Sequence, residues 1–245
     1  MFGYGVDRRA IGILFIILIV WFLASMTPEG WINLLLTLPA VIVAITFHEF
    51  AHAKAADMLG DTTPRNQGRL TLNPMSHVDP FGFCLLMFAG IGWGKPVQIN
   101  PSNFTSNKSR GTCESIVSIA GPLTNFAIAI IACVGYLAIY YLFPAFSTAT
   151  WGTLLRAFLY ILMTINVGLG VFNLIPLPPL DGEKIFRNLL PYKAQRWLQD
   201  NYATLSAIFM ILWFVGALDI IVYPVVSTIT DVIVILIEKL FTMFI

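Results

Sequence analysis

Charge is what this 245-residue chain has least of. Only 11% of its residues are Asp, Glu, Lys or Arg, against about 25% in an ordinary soluble domain. The basic and acidic residues nearly cancel, leaving a net charge of +1, so no nucleic acid and no strongly charged partner is implied. Cysteine is scarce as well. Cys84, Cys113 and Cys133 are odd in number and lack C-x-x-C spacing, which argues against a disulfide framework or a thiolate zinc site; they read as small apolar residues. No internal repeat, low-complexity tract or separate polar domain interrupts the sequence. The chain is filled instead by apolar residues, 58% of the total, with a mean hydropathy of +0.80. A soluble domain of this length could not bury so much apolar sequence.

A transmembrane helix needs roughly 20 apolar residues, and the pattern predicts an all-α polytopic membrane protein of about six segments. The first, 11–26, follows Asp7-Arg8-Arg9 and reads as a retained helix, because no small-x-small cleavage pattern follows it. The next is 31–58, with Gly60 as its stop. Later runs cover 116–143 and 154–175, then 203–222 and 225–244, divided by Tyr223-Pro224. The whole of 1–245 is thus expected to be one integral-membrane domain. Its core helices lie near 31–60, 114–144 and 152–176, and its C-terminal helices within 203–245.

Between the second and third spans, 61–112 is rich in glycine and Asn-Pro or Asp-Pro pairs. Within it, 81–92 is apolar but too short to span and suits a re-entrant or interfacial segment. The alternation in 96–100 suggests a short β-strand. With the N-terminus inside, Arg8, Arg9, Lys54, Arg65, Arg69, Lys95, Lys108, Arg110, Lys184, Arg187, Lys193 and Arg196 fall on or toward the cytoplasmic side. That asymmetry predicts a multi-pass protein of the cell membrane with its N-terminus inside and the C-terminal half of its second span, where the candidate active site lies, toward the cytoplasm.

The second span carries His48-Glu49-Phe50-Ala51-His52. A spacing of four puts both imidazoles on one helix face, within reach of one zinc ion. Glu49 sits beside them, placed to take a proton from water. Ionisable groups in hydrocarbon are costly, so a cluster of them there is a functional site by default. A catalytic zinc usually takes three protein ligands. His77, the remaining histidine, reads as a loop residue that lines the site or hydrogen-bonds the re-entrant segment. Among the acids Asp181 stands out, in Asn173-Leu174-Ile175-Pro176-Leu177-Pro178-Pro179-Leu180-Asp181-Gly182 at the same end of the fourth span. The prolines break the helix there and Gly182 permits a sharp turn, so the aspartate can point into the bundle.

With these residues the chain resembles the site-2 protease family of intramembrane zinc metalloproteases, peptidase M50. The resemblance runs through His48-Glu49-x-x-His52, Asn173-x-x-Pro176 and Leu180-Asp181-Gly182. Gly121-Pro122-Leu123-Thr124-Asn125 and Gly92-Trp93-Gly94-Lys95-Pro96-Val97 extend it, over about residues 31–190. It implies one Zn2+ held by His48, His52 and Asp181, Glu49 as general base, and a three-helix core. Neither a PDZ nor a CBS domain is expected, so the likeness is to the minimal form. The expected substrate is a membrane protein with a single transmembrane helix, cut in or near that helix during regulated intramembrane proteolysis. Such a helix must unwind before it can be cut, and a strand at 96–100 could hold it by edge pairing.

By resemblance and by polarity, Asn125 and Asn173 are candidates for binding substrate backbone or an oxyanion; the plainer reading is helix-to-helix hydrogen bonding. Gly121 reads as close helix packing. A divalent-metal transporter or channel is the competing class, disfavoured because the ligand types converge on one set and no inverted repeat is visible. A non-catalytic membrane-helix-binding homologue is disfavoured by the intact Glu49. Nothing in the sequence specifies an oligomeric state.

Overall fold

The computed structural model describes residues 17, 19–21, 24–89 and 94–244. The first expected span, 11–26, lies largely outside them, as does 90–93 of the glycine-rich segment. Helix α1, Pro28–Met58, begins where Thr27 Oγ1 accepts the Gly30 N–H at 3.2 Å and Pro28 supplies a preset φ. It ends at Gly60, whose φ of 104° only glycine adopts freely. Thr105 packs where a Cβ at position 60 would sit, and its N–H donates to Leu59 O at 3.0 Å. Helix α2, Pro80–Ala89, rises about 15 Å, half of the roughly 30 Å hydrocarbon layer. The long α3, Arg110–Leu142, is capped by Ser109 Oγ, which accepts from Thr112 N. Then come α4, Thr150–Asn173, and α5, Asp181–Arg187, followed by α6, Tyr192–Asp200, α7, Tyr202–Phe214, and α8, Asp219–Phe244.

Four of these helices, α1, α3, α4 and α8, are long and apolar enough to cross a membrane. The first three form the core. Ala40 of α1, Ala129, Ala132 and Cys133 of α3, and Met163 and Val167 of α4 are buried against one another. Small residues at the seam let the backbones approach, which is how helices gain packing energy in lipid. Large apolar side chains such as Leu35, Ile131 and Leu155 point outward and are exposed, the pattern of a surface that meets lipid rather than water.

Helix α8 lies alongside this core. At its start, Leu218 and Val222 pack with Phe172, Ile175 and Leu180, near Asp181. Near its end, Tyr141 donates its hydroxyl to Glu238 at 2.8 Å, and the Tyr141 and Phe241 rings stack. Tyr141 is at the far end of α3, so α8 runs from the Asp181 end of the bundle to the opposite end. Phe209 and Trp213 of α7 also pack on Phe172. With a rise of about 20 Å, α7 therefore stays at the Asp181 end instead of crossing.

Three sequence expectations change. Among the described residues, four helices have the length of a span, where five of the six expected segments fall. The break between the last two elements falls at 215–218, on Gly216 with its φ of 70°, not at Tyr223-Pro224. Pro39, Pro122 and Pro224 all lie inside helices, which membrane helices tolerate when neighbours satisfy the freed backbone. Finally, 96–100 forms no strand. Its neighbourhood holds one isolated antiparallel bridge, Val78 with Gly94, because the next backbone donors go to side chains.

One of those side chains organises the loop. Asp61 is fully buried and accepts from Thr63 N, Thr63 Oγ1, Asn100 N and Asn103 Nδ2. It thus joins the end of α1 to the segment 95–105. Burial alone would push this carboxyl up; the hydrogen bonds from Thr63, Asn100 and Asn103 outweigh that and hold it below its ordinary value. A depressed carboxyl stabilises the fold fully above the unfolded aspartate value of about 3.9, and the contribution fades as pH falls through the lower native value. Asp61→Asn should therefore cost about 1–3 kcal/mol in thermal unfolding at pH 7, with the gap from wild type closing below about pH 4. A gap of constant size across that range would rule out the carboxylate as its source.

Candidate metal centre

The last three turns of α1 carry His48, Glu49 and His52, and both histidines are buried. Asp181 arrives from the other side. After α4 ends at Asn173, the proline-rich bend turns back so sharply that a Cβ at Gly182 would overlap the carbonyl oxygens of Leu174 and Ile175. Only glycine lets α5 start against the end of α4. The turn brings Asp181 Oδ2 to 3.2 Å from His48 Nε2 and 3.0 Å from His52 Nε2. The two Nε2 atoms are themselves 3.0 Å apart.

The rear faces of the rings select the tautomer of each neutral imidazole. His52 Nδ1 lies 2.7 Å from the Val117 carbonyl oxygen and His48 Nδ1 2.7 Å from Asn125 Oδ1. The Asn125 amide is oriented by its own donors, since Nδ2 reaches Ala44 O at 3.2 Å and Asn166 Oδ1 at 2.8 Å. Asn166 Nδ2 in turn donates to Leu162 O at 2.8 Å. Oxygens that can only accept face both Nδ1 atoms, so each neutral ring carries its proton at Nδ1 and offers a lone pair at Nε2. Two lone pairs and a carboxylate oxygen then meet in a buried place with no donor among them. Such a set calls for a cation, and two imidazole nitrogens with a carboxylate oxygen fit zinc with a coordination position to spare. These ligand atoms all lie within 4.8 Å of one another.

Gly121 of α3 has a closer role than packing alone. A Cβ there would stand 2.5 Å from His52 Nε2 and 2.6 Å from His48 Cε1, so the imidazoles occupy the space a side chain would need. Glu49 is held from outside the helix, its Oε2 accepting the Val97 N–H at 2.9 Å. Segment 95–100 therefore lies across the site as an extended strap. It is fixed at one end by Lys95 N on His77 O and at the other by Asn100 N on Asp61. Arg69 adds hydrogen bonds to the carbonyls of Ser76 and Lys95. His77 is fully buried with Nε2 on Thr71 O, a loop contact, and stands apart from the His48–His52–Asp181 group.

The two asparagines singled out by sequence occupy different situations. Asn125 has no exposed surface, and its amide is spent on His48, Ala44 and Asn166. Asn173 is part-buried at the end of α4 and turns its Nδ2 back onto Leu169 O at 3.0 Å. Two features escaped the sequence reading. One is Asn166, visible as a polar residue in an apolar span seven before Asn173. The other is a part-buried charge group behind Asp181, in which Arg187 pairs with Glu183 at 2.9 Å and with Glu114 of α3 at 3.3 Å. Asn188 adds hydrogen bonds to Gly111 O and Ser115 Oγ. Together they clamp α5, and with it Asp181, to the start of α3. The Glu183 and Arg187 spacing of four is the only local hint of it.

Comparison with known proteins follows the same residues. The model of peptidase family M50 matches residues 36–217. The chain is 36% identical over 205 residues to "Putative zinc metalloprotease YwhC" of Bacillus subtilis (strain 168), covering 82% of this chain and 90% of that protein. It is 30% identical over 188 residues to "Putative zinc metalloprotease Rip2" of Mycolicibacterium smegmatis, covering 74% and 68% respectively. No solved structure matches the chain.

Two substitutions probe the surroundings of the rings without replacing His48, His52 or Asp181. Asn125→Ala should weaken zinc binding about 10–100-fold, the usual effect of losing a hydrogen bond behind a ligating histidine. Gly121→Ala should displace the imidazoles and lower zinc retention at least as much. Both are measured by chelator competition on the purified protein. Wild-type affinity in Gly121→Ala would mean that the rings are free to move and the packing is not a constraint.

Proposed function

The chain belongs to peptidase family M50, and from that premise we propose that it is an intramembrane metalloprotease cutting single-span membrane proteins in or near their transmembrane helix. The observation that carries this reading is the convergence of His48, His52 and Asp181 at the end of a membrane-length helix, with Glu49 beside them. His48, His52 and Asp181 are assigned as the ligands of one zinc ion and Glu49 as the general base. Zinc bound there supplies Lewis acidity, making water nucleophilic at neutral pH and polarising a carbonyl.

Glu49 takes a proton from water and returns it to the leaving amide nitrogen. Asn125 and Val117 O hold the rings through Nδ1 and so act through the histidines. Asn173, at the end of α4, is the asparagine left to meet substrate. The strap at 95–100 offers extended backbone next to the base, suited to an unwound peptide that needs hydrogen-bond partners. The rear hydrogen bonds that fix both imidazoles suit a resident metal better than one in transit, which favours the protease over the transporter.

Lys54, Arg65, Arg69, Lys95, Lys108, Arg110 and Lys184 belong to the Asp181 end of the bundle or the loops attached to it. By the positive-inside rule that end faces the cytoplasm. If 11–26 forms a first span, the N-terminus is cytoplasmic as well, and the whole of 1–245 acts as one membrane domain.

Glu49→Gln in proteoliposomes tests the assignment. Cleavage of a single-span reporter should fall about 10²–10⁴-fold while zinc content stays at the wild-type level. Retained turnover would remove Glu49 from the chemistry, and loss of zinc would make it a ligand.

A further inference from the structure

Helix α6 has no function in the site, yet its two faces differ sharply. None of its residues is buried. On the helical wheel Ala194, Trp197 and Leu198 share one face, with Leu190 one turn before them. Lys193, Arg196, Gln199 and Asp200 occupy the other. Trp197 is 57% exposed. Gln195, on the flank, lines a cleft with Arg110 and Asn188, so that side of α6 faces the start of α3.

The neighbours of this helix indicate what covers the Trp197 face. Asn201 alone separates α6 from α7, a helix without a charged residue whose Ile211 and Phe214 are 62% and 65% exposed. Those side chains point out of the protein, as Trp197 of α6 does. Before α6, Leu189 is exposed too. The polar face is net positive. Lys193 is exposed, and Arg196 is exposed with only a loose 3.8 Å pairing to Asp200. An apolar face ending in Trp, a basic opposite face, and a junction with a membrane-embedded helix are the attributes of a helix lying in the plane of the bilayer surface.

We propose that α6 is a membrane-surface helix that seats on anionic phospholipid headgroups at the Asp181 end of the bundle. Trp197, Leu198 and Leu190 enter the headgroup–acyl boundary, and Lys193 and Arg196 meet the phosphates. The Asn188 hydrogen bonds to Gly111 and Ser115 tie this seat to α3, so the depth of α6 sets the depth of the metal centre. The inference rests on the chain being embedded in a membrane and not on its proteolytic activity.

The test uses the full chain in nanodiscs of phosphatidylcholine, with or without one quarter phosphatidylglycerol. Trp197→Cys and Gln199→Cys are each labelled with a membrane-impermeant maleimide, the native cysteines serving as baseline and zinc content as the check on folding. With phosphatidylglycerol, position 197 should label at least about tenfold more slowly than 199. A basic residue near an anionic surface contributes about 1 kcal/mol, so Lys193→Glu with Arg196→Glu should speed labelling at 197 at least about tenfold in those discs. It should change little in phosphatidylcholine alone. As a second reading, Trp197→Phe should remove a component of the tryptophan fluorescence that brominated lipid quenches. Equal labelling at 197 and 199, no dependence on phosphatidylglycerol, quenching unchanged in Trp197→Phe, or a chain-to-chain cross-link at 197 would each overturn the proposal.

Discussion

Two imidazole lone pairs and a carboxylate oxygen, 3.0–3.2 Å from one another, repel unless a cation lies between them. In water such groups would turn away and be solvated. At the buried end of α1 they cannot, because each is fixed from behind. Val117 and Asn125 hold the rings, and the Gly182 turn holds the carboxylate. A cation would remove that repulsion, and the surrounding arrangement can be understood as the means of keeping three acceptors converged in a medium of low dielectric.

Each long helix has a share in that task. α1 presents both histidines on one face. α3 supplies the missing side chain at Gly121, the Val117 carbonyl and the Asn125 amide, and at its start receives the Arg187 and Asn188 clamp from α5. α4 buttresses Asn125 through Asn166 and, by ending at Asn173, allows the chain to fold back. Outside the bundle the strap from 95 to 100 reaches Glu49 and is anchored on Asp61. A disturbance at Asp61 is thereby connected to Glu49 through backbone only a few residues long.

What was legible in the sequence was local or long. The His48–Glu49–His52 spacing is a helical relation within one turn, and the runs that became α1, α3 and α4 are too long and apolar to be anything but spans. Asp181 was reachable because a broken helix and a glycine mark a return of the chain. Tertiary relations were less accessible. Nothing near Asn125 announces that its amide is consumed by His48 and Asn166, and nothing near Glu183 announces Glu114. The stretch from 203 to 222 reads as one apolar run, and only its packing on Phe172 and the left-handed Gly216 show that it stops short. The alternation at 96–100 has the polarity of a strand, but its donors found the side chains of Glu49 and Asp61 instead of a neighbouring strand.

Zinc K-edge X-ray absorption on the purified protein, with metal counted per chain, tests the central claim most directly. The arrangement predicts one zinc per chain in a sphere of nitrogen and oxygen with two imidazoles. The signal should lose one imidazole in His48→Ala and be lost or redistributed in Asp181→Ala. A sulfur-containing sphere, a single imidazole, or an unchanged spectrum in Asp181→Ala would contradict it.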